Sequence, residues 1–523
     1  MNAAACVSLL RAAAVLASLA MVVRPHSSAA ETEKDAASAR PPRISPDYTG
    51  VVLPPNIAPL NFTVAEPGKR YRVTIRSAAG RPIELSSRDP SVAIPAKAWK
   101  ELLRANTGQA LYVDVAVQTA EGTWTTFGTI TNTIAREDID GFLVYRLLKP
   151  LFNIYHTMGI YQRNLETFEE TEVLANTRID SGCLNCHTFL NHSPRSMSFN
   201  VRSITCGNPM ILVRNGEVAR TSFTAGYMSW HPSGRLIAFS KNKLTQFFHT
   251  VGECRDVFDA ESSLAIYRVD SNVIVNPPSI AQPEMLETWP SWSPDGRHLY
   301  FCSAPKLPQE RFREVRYSLM RVAYDLEKDS WGALETLVSA EQTGRSAAQP
   351  RVSPDGRYLL FCICKYGSFP IYQQSSDLFL MDLTTRQYRR LEINSEQSES
   401  WHCWSSNSRW IVFSSKRLDG LFARPHFSYV DEQGKVQKPF ILPQKDPAFY
   451  DSFIKTYNVP ELIREPVAVK PEELARAVVA PARTLTPEGA QPQEKPHTGD
   501  EGGAEKPGYD EGTRPSTAKS RPR

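Results

Sequence analysis

The sequence predicts a mainly β chain made of a small β-sandwich-like module, a short helical segment and a repeat-built propeller. Two patterns carry that expectation. The first is a phrase that returns four times: Ser229-Trp-His-Pro-Ser-Gly-Arg-Leu-Ile-Ala-Phe239, Ser291-Trp-Ser-Pro-Asp-Gly-Arg-His-Leu-Tyr-Phe301, Arg351-Val-Ser-Pro-Asp-Gly-Arg-Tyr-Leu-Leu-Phe361 and Cys403-Trp-Ser-Ser-Asn-Ser-Arg-Trp-Ile-Val-Phe413. A fixed strand–turn–strand grammar at a period of tens of residues marks a propeller or solenoid. The second is period-two alternation between about Asn61 and Ala135, with Tyr71, Val73 and Ile75 on one face and Leu111, Val113, Val115 and Val117 on another. Such alternation makes half-buried strands.

The chain has 523 residues, ordinary globular composition and a formal charge of +4 from 60 Lys plus Arg against 56 Asp plus Glu. That charge is too small and too dispersed for a nucleic-acid binder. Residues 1–30 read as a signal peptide. The apolar run Ala12–Val23 follows Arg11, precedes Arg24-Pro25 and is too short to span a bilayer, and Ser28-x-Ala30 offers the small side chains of a cleavage site. The mature chain is therefore expected to start near Glu31, to lack an integral membrane span and to be periplasmic or otherwise exported. An uncleaved anchor is the alternative, and Cys6 would leave with the signal.

Residues 31–45 are too poor in apolar side chains to fold alone and read as a flexible tether. The sandwich-like module takes 46–135, with Ala96–Ala105 at helical spacing through Trp99, Leu102 and Leu103. Over 136–205, apolar and aromatic residues recur at three and four: Phe142, Tyr145 and Leu148, then Tyr155, Met158, Tyr161, Leu165 and Phe168. That spacing predicts helix, interrupted at Pro150. The propeller is expected over 206–460. In its turns Pro presets φ, Asp bonds back to the backbone and Gly takes a positive φ. Four blades are visible, with inserted loops at His249–Asp259 and Pro305–Arg316. Residues 461–523 read as a disordered Pro/Glu/Ala-rich tail, apart from a short helix at Glu472–Val479.

The motif that carries chemistry is Cys183-Leu-Asn-Cys186-His187, the C-x-x-C-H attachment sequence of c-type haem. Two thiols three apart can each add to a porphyrin vinyl group, and the adjacent imidazole then reaches the iron as proximal ligand. One covalent haem c is expected, held by Cys183, Cys186 and His187. A disulfide or half of a zinc site is the alternative, although zinc needs a second ligand pair and no second C-x-x-C occurs. For the sixth iron ligand His249 is favoured and Met197 is the alternative, with His192 and His156 also open. Phe152, Tyr155, Tyr161 and Phe168 are candidates to wall the porphyrin. Of the six further cysteines of the expected mature chain, Cys302 and Cys362 are expected as buried thiols and Cys206–Cys254 as a bridge, with Cys364 and Cys403 unassigned.

The repeated Trp-Ser-Pro-Asp-Gly phrase resembles the blades of TolB-like β-propellers over about Met210 to Asn458. The wider arrangement, Met158-Gly-Ile-Tyr-Gln-Arg163, the haem motif, Met197-Ser-Phe-Asn-Val-Arg202 and Trp230-His-Pro-Ser-Gly234, is similar to a group of exported bacterial proteins that join one haem c motif to such a propeller. That resemblance implies the fold and the cofactor but no settled activity. In that group the position of Asn200 is commonly His, so this chain departs there, while Gln246-Phe-Phe-His249 is retained.

Three functions follow as expectations. The first is a monohaem cytochrome in which the propeller docks a redox or envelope protein partner for electron transfer. The second is a protein-interaction module with a structural or sensory haem. The third is a propeller oxidoreductase, for which only the scattered His231, His298, His402 and His426 offer themselves. No nucleophile elbow, phosphate-binding glycine loop or His-Glu-x-x-His motif occurs, so no catalytic residue is assigned.

Overall fold

The computed structural model describes residues 35–149, 157–249, 255–483 and 485. Six four-stranded antiparallel sheets form the blades of a propeller. From the axis outward, blade 2 runs Cys183–Leu190, Ser193–Arg202, Met210–Arg214 and Glu217–Arg220, and blade 3 runs Met228–Trp230, Leu236–Phe248, Arg255–Arg268 and Val273–Val275. Blade 4 spans Met285–Val338, blade 5 Ser346–Arg390 and blade 6 Glu399–Ile441 in the same order. Blade 1 is composite: Phe142–Leu148, Gly159–Asn164 and Glu170–Ala175 are completed on the axial side by Thr456–Ile463 from the far end of the chain. Each axial strand touches those of both neighbouring blades, which closes the ring.

The helix expected over 136–205 is instead strand. Phe142–Leu148 pairs with both Gly159–Asn164 and Thr456–Ile463 and is buried along nearly its whole length. A strand covered on both faces loses the period-two signature, and a short continuous apolar run then looks helical. The closing strand also corrects the tail boundary, since order continues through Ile463 and a helix at Pro471–Val479 that buries Leu474 and Val478. Residues 486–523 lie outside the described residues, as do the predicted signal peptide, Cys6, Phe152, Tyr155, His156 and Cys254.

The repeated phrase is the hairpin between the first and second strands of blades 3 to 6. Its turn chemistry works as expected: Asp295 accepts from the Arg297 N–H at 3.0 Å, Asp355 from that of Arg357 at 3.1 Å and Asn407 from that of Arg409 at 3.1 Å. Gly296 and Gly356 take φ of 73° and 74°, and Ser408 holds the same left-handed place at 63°. The inserted loop at His249–Asp259 is a strand extension on its descending side. The second and third strands of blade 3 pair continuously out to Phe248 and Arg255, forming a long hairpin.

Ahead of the propeller, a seven-stranded and a three-stranded sheet carry the helix Ala96–Ala105, which buries Trp99, Leu102 and Leu103. Part of the expected tether is strand: Asp35–Ala37 pairs with Trp124–Thr126, and Ile44–Ser45 with Thr63 and Val64. The core of this module runs on into blade 6 through Trp410, Val412, Phe427 and Phe440. Asp140 fastens the junction by accepting from the Ser406 N–H at 2.7 Å and its hydroxyl at 2.6 Å.

Candidate functional site

The Cys-x-x-Cys-His sequence sits on the axial strand of blade 2. In a regular strand, residues three apart point to opposite faces. Here the register with the second strand shifts between Asn185 and Thr188, so Cys186 and His187 form a β-bulge. The bulge lets Cys183 and Cys186 line one cavity of about 80 Å³ that opens to solvent. Both thiols are free, and burial raises the pKa of each, so they rest as neutral thiols.

His187 lines a second axial cavity of about 30 Å³, which shares Cys186, Tyr227 and Trp401 with the first. Its ring is 1 % exposed, and neither ring nitrogen makes a hydrogen bond of good geometry, although the Val144 and Val459 backbones face it. Burial first, and then the Arg146 charge, push its pKa down to about 3, so the imidazole is neutral near pH 7 with a lone pair to give. On a neutral imidazole such unsatisfied nitrogens leave a lone pair free for a ligand. Two cavity-facing thiols three residues apart beside an orphaned imidazole fit the donor set of a haem c.

A like register shift recurs around the ring, although Cys186 lacks the positive φ of its counterparts. Register shifts of equal kind set Trp289-Pro290, Gln349-Pro350, Trp401-His402 and Val459-Pro460 on the axial strands of blades 4, 5, 6 and 1. Trp289, Gln349, Trp401 and Val459 all have φ between 48° and 57°. Tyr227 and Met228 hold the corresponding place in blade 3, and all six blades meet at the second cavity. An aromatic cluster separates the two cavities: Tyr227 stacks on Trp289 at 3.5 Å between centroids, and Trp289 meets Trp401 edge-on at 5.0 Å.

The expected sixth ligands do not gather here. His249 lies near the tip of the long hairpin, its Nε2 3.0 Å from Asp256 Oδ2, and faces a different cavity with Arg313 and Tyr366. Met197 is fully buried on the second strand of blade 2 opposite Phe189 and Val213, as core. His192 occupies the tight turn after the axial strand, with Nδ1 3.0 Å from the Leu462 carbonyl. Tyr161 and Phe168 are not among the cavity walls, which come instead from Leu148, Met158, Tyr227, Phe369, Tyr372 and Trp401. Asn200, where the similar proteins commonly have His, does line the cavity beside both cysteines and donates to the Gly226 carbonyl at 3.1 Å.

Sequence reading missed Arg146, Arg202 and Arg255 in the same wall. The usable signal was the repeat of the axial-strand pair, which aligns Cys186-His187 with residues at the ring centre. Cys302, Cys362, Cys364 and Cys403 are buried free thiols, as expected for the first two, and Cys206 is also free. Among the described residues no group of three or more His, Cys, Asp or Glu side chains is placed to hold a metal ion, and no helix is long and apolar enough to cross a membrane.

No family model matches the chain, and no curated protein matches it. Many solved structures resemble it in fold. The Dos1 propeller shares 12 % identity at a TM-score of 0.32, covering 51 % of this chain and 63 % of its own. Hydrazine synthase of Kuenenia stuttgartiensis shares 12 % at 0.28, covering 48 % and 64 %. The β-propeller domain of the Trilobed protease from Pyrococcus furiosus, described as having an open velcro topology, shares 11 % at 0.31, covering 66 % and 96 %. The chain thus spans a little under two thirds of the first two. At these scores the likenesses say nothing about function.

Proposed function

We propose that the chain is an exported monohaem c-type cytochrome whose propeller docks a protein partner and whose haem passes electrons to or from it. The observation that carries this is the bulge that turns Cys183 and Cys186 into one cavity beside the orphaned His187. In this reading the two thiols hold the haem covalently and His187 Nε2 or Nδ1 gives the proximal bond, while the bound group supplies a reversible one-electron couple. The chain's own part is electrostatic and steric. Burial keeps His187 unprotonated, and Tyr227, Trp401 and three arginines line the cavity.

Export belongs to the same reading, because haem c is attached outside the cytoplasm and residues 1–30 have signal-peptide anatomy. The test is a pyridine haemochrome spectrum and an intact mass on full-length protein made with a haem c maturation system. A c-type α-band and the mass of one added haem are expected, both lost in C183S/C186S. A haem-free product from a host that matures a control cytochrome refutes the reading. The recurrence of the bulge in other blades would then favour a haem-free interaction module.

A further inference from the structure

We propose that Arg146, Arg202 and Arg255 form a binding site for a ligand that carries two carboxylates. The three guanidiniums come from three elements: the strand Phe142–Leu148 of blade 1, the second strand of blade 2 and the third strand of blade 3. All three line the cavity of Cys183 and Cys186, and no Asp or Glu is among the described residues that line it. Arg146 and Arg255 are only 9 % and 3 % exposed. Arg146 donates to the Leu184 carbonyl at 3.0 Å and to Asn185 Oδ1 at 3.1 Å, leaving Nε orphaned. Arg255 donates to the Tyr372 hydroxyl at 3.0 Å and leaves both Nε and Nη2 orphaned.

Burying a guanidinium with no anion is costly, and elsewhere this chain meets it with a carboxylate or with backbone carbonyls. Arg351 meets Glu461 at 2.7 Å, Arg417 meets Glu399 at 3.1 Å, and Arg424 caps the carbonyls of Phe453 and Lys455. Arg255, with two of its three nitrogens orphaned, is the least satisfied of these, and the cavity arginines are held in place. Arg202 sits directly across the sheet from Cys183, and Arg255 lies 5.0 Å from the ring centroids of both Phe248 and Tyr372. Planar forks fixed in this way match carboxylates in pairs of hydrogen bonds. Three forks exceed what one carboxylate can satisfy, so the ligand brings two. The two propionates of a haem have this chemistry, and so does a free dicarboxylate. The charge argument needs only the arginines.

The test uses full-length C183S/C186S protein, in which haem binding is reversible. Ferric haem and its dimethyl ester, whose propionates are uncharged, are titrated by absorbance, and succinate is tested by thermal shift. Haem is expected to bind roughly tenfold or more tighter than the ester, the scale of one charge-assisted hydrogen bond. R146Q and R255Q should each reduce that preference. R202Q, at a partly exposed side chain, does the same without threatening the fold, which circular dichroism verifies. If haem and ester bind alike, the arginine site is overturned while the haem reading survives. If neither porphyrin binds but succinate stabilises the protein and R202Q abolishes the effect, the site stands with a free dianion and the haem reading fails. If nothing binds, the proposal is overturned.

Discussion

Replacing His187 by Met in haem-free protein should stabilise it, by an amount that grows as the pH falls. Met228 already fills the corresponding place in blade 3, 5 % exposed, so the ring axis accommodates that side chain. Near pH 7.5 the gain comes from removing two buried nitrogens without partners, about 1–3 kcal/mol. Acid adds a second part. The folded pKa of about 3 lies below the ~6.5 of an unfolded histidine, so between those values the unfolded chain binds the extra proton. The wild type therefore has the full contribution above pH 6.5 and loses ~1.4 kcal/mol per unit as the pH falls towards 3. At pH 4.5 two units have been crossed, a loss of ~2.7 kcal/mol that H187M does not suffer, for a total difference of ~4–6 kcal/mol. Urea midpoints followed by tryptophan fluorescence at pH 7.5, 6.0 and 4.5 measure it, since Trp289 and Trp401 adjoin the site. A difference that does not change with pH, or a variant less stable than wild type at pH 7.5, refutes the account of an orphaned neutral imidazole.

Asp259 is the opposite case: burial raises its carboxyl to about 7, so it stabilises fully below ~3.8 and that contribution is lost as the pH rises through 7. D259N should be more stable than wild type at pH 9 by up to ~4 kcal/mol, and an equal melting temperature there counts against it. Glu399 is wholly buried and accepts from Ser395, Ser415 and Arg417, so E399Q leaves the partly buried Arg417 guanidinium without its carboxylate and should cost about 3 kcal/mol in a urea titration. A cost under ~1 kcal/mol would show that the hydroxyls, not the ion pair, hold that corner. Truncation before Thr456 removes the axial strand of blade 1 and should yield protein without cooperative unfolding, whereas truncation after Arg483 should melt like the full chain. Native unfolding of the shorter product would refute the strand's role in closing the ring.

What the sequence made legible was set by whether each strand kept a local signature. Blades 3 to 6 announce themselves because their first hairpin turns are built from residues with fixed backbone demands, as at Gly296, Gly356 and Ser408. Blade 2 turns instead through Asn191 and His192, with φ of 50° and 60°, a tight hairpin carrying no Pro-Asp-Gly phrase. Blade 1 was hidden more deeply. Its four strands come from places some 280 residues apart, and Tyr145, buried edge-on against Tyr457 at 4.8 Å, reads as part of a helical stripe until its partner strand is known. The site shows the same division. Cys183, Cys186 and His187 are adjacent in sequence and were found; Arg146, Arg202 and Arg255 meet only through the ring and were not. His249 follows from the hairpin's length, since the strand extension that brings Gln246 to the cavity carries the histidine past it to Asp256.

The recurrence of the bulge raises the question of whether Cys186-His187 is anything more than blade 2's version of a structural element. Pro290, Pro350 and Pro460 answer for three blades, since proline at a bulge needs no ladder partner and imposes an extended backbone. Blade 6 supplies the control. His402 occupies the place of His187 and its pKa is also lowered to about 3 by burial, yet its Nε2 meets the Leu360 carbonyl at 3.0 Å and its Nδ1 faces the Cys362 thiol at 3.7 Å. The ring therefore gives a histidine at this position a well-formed hydrogen bond in blade 6, whereas in blade 2 the Val144 and Val459 backbones face the ring without one. Nor does Trp401 have a thiol three residues before it: the place of Cys183 is taken by Ser398, which donates to the Pro370 carbonyl at 2.9 Å. Blade 2 alone combines two thiols facing one cavity with an imidazole left without partners, in front of three arginines without carboxylates among the described residues. A structural bulge requires none of these, and the proposed haem would account for them.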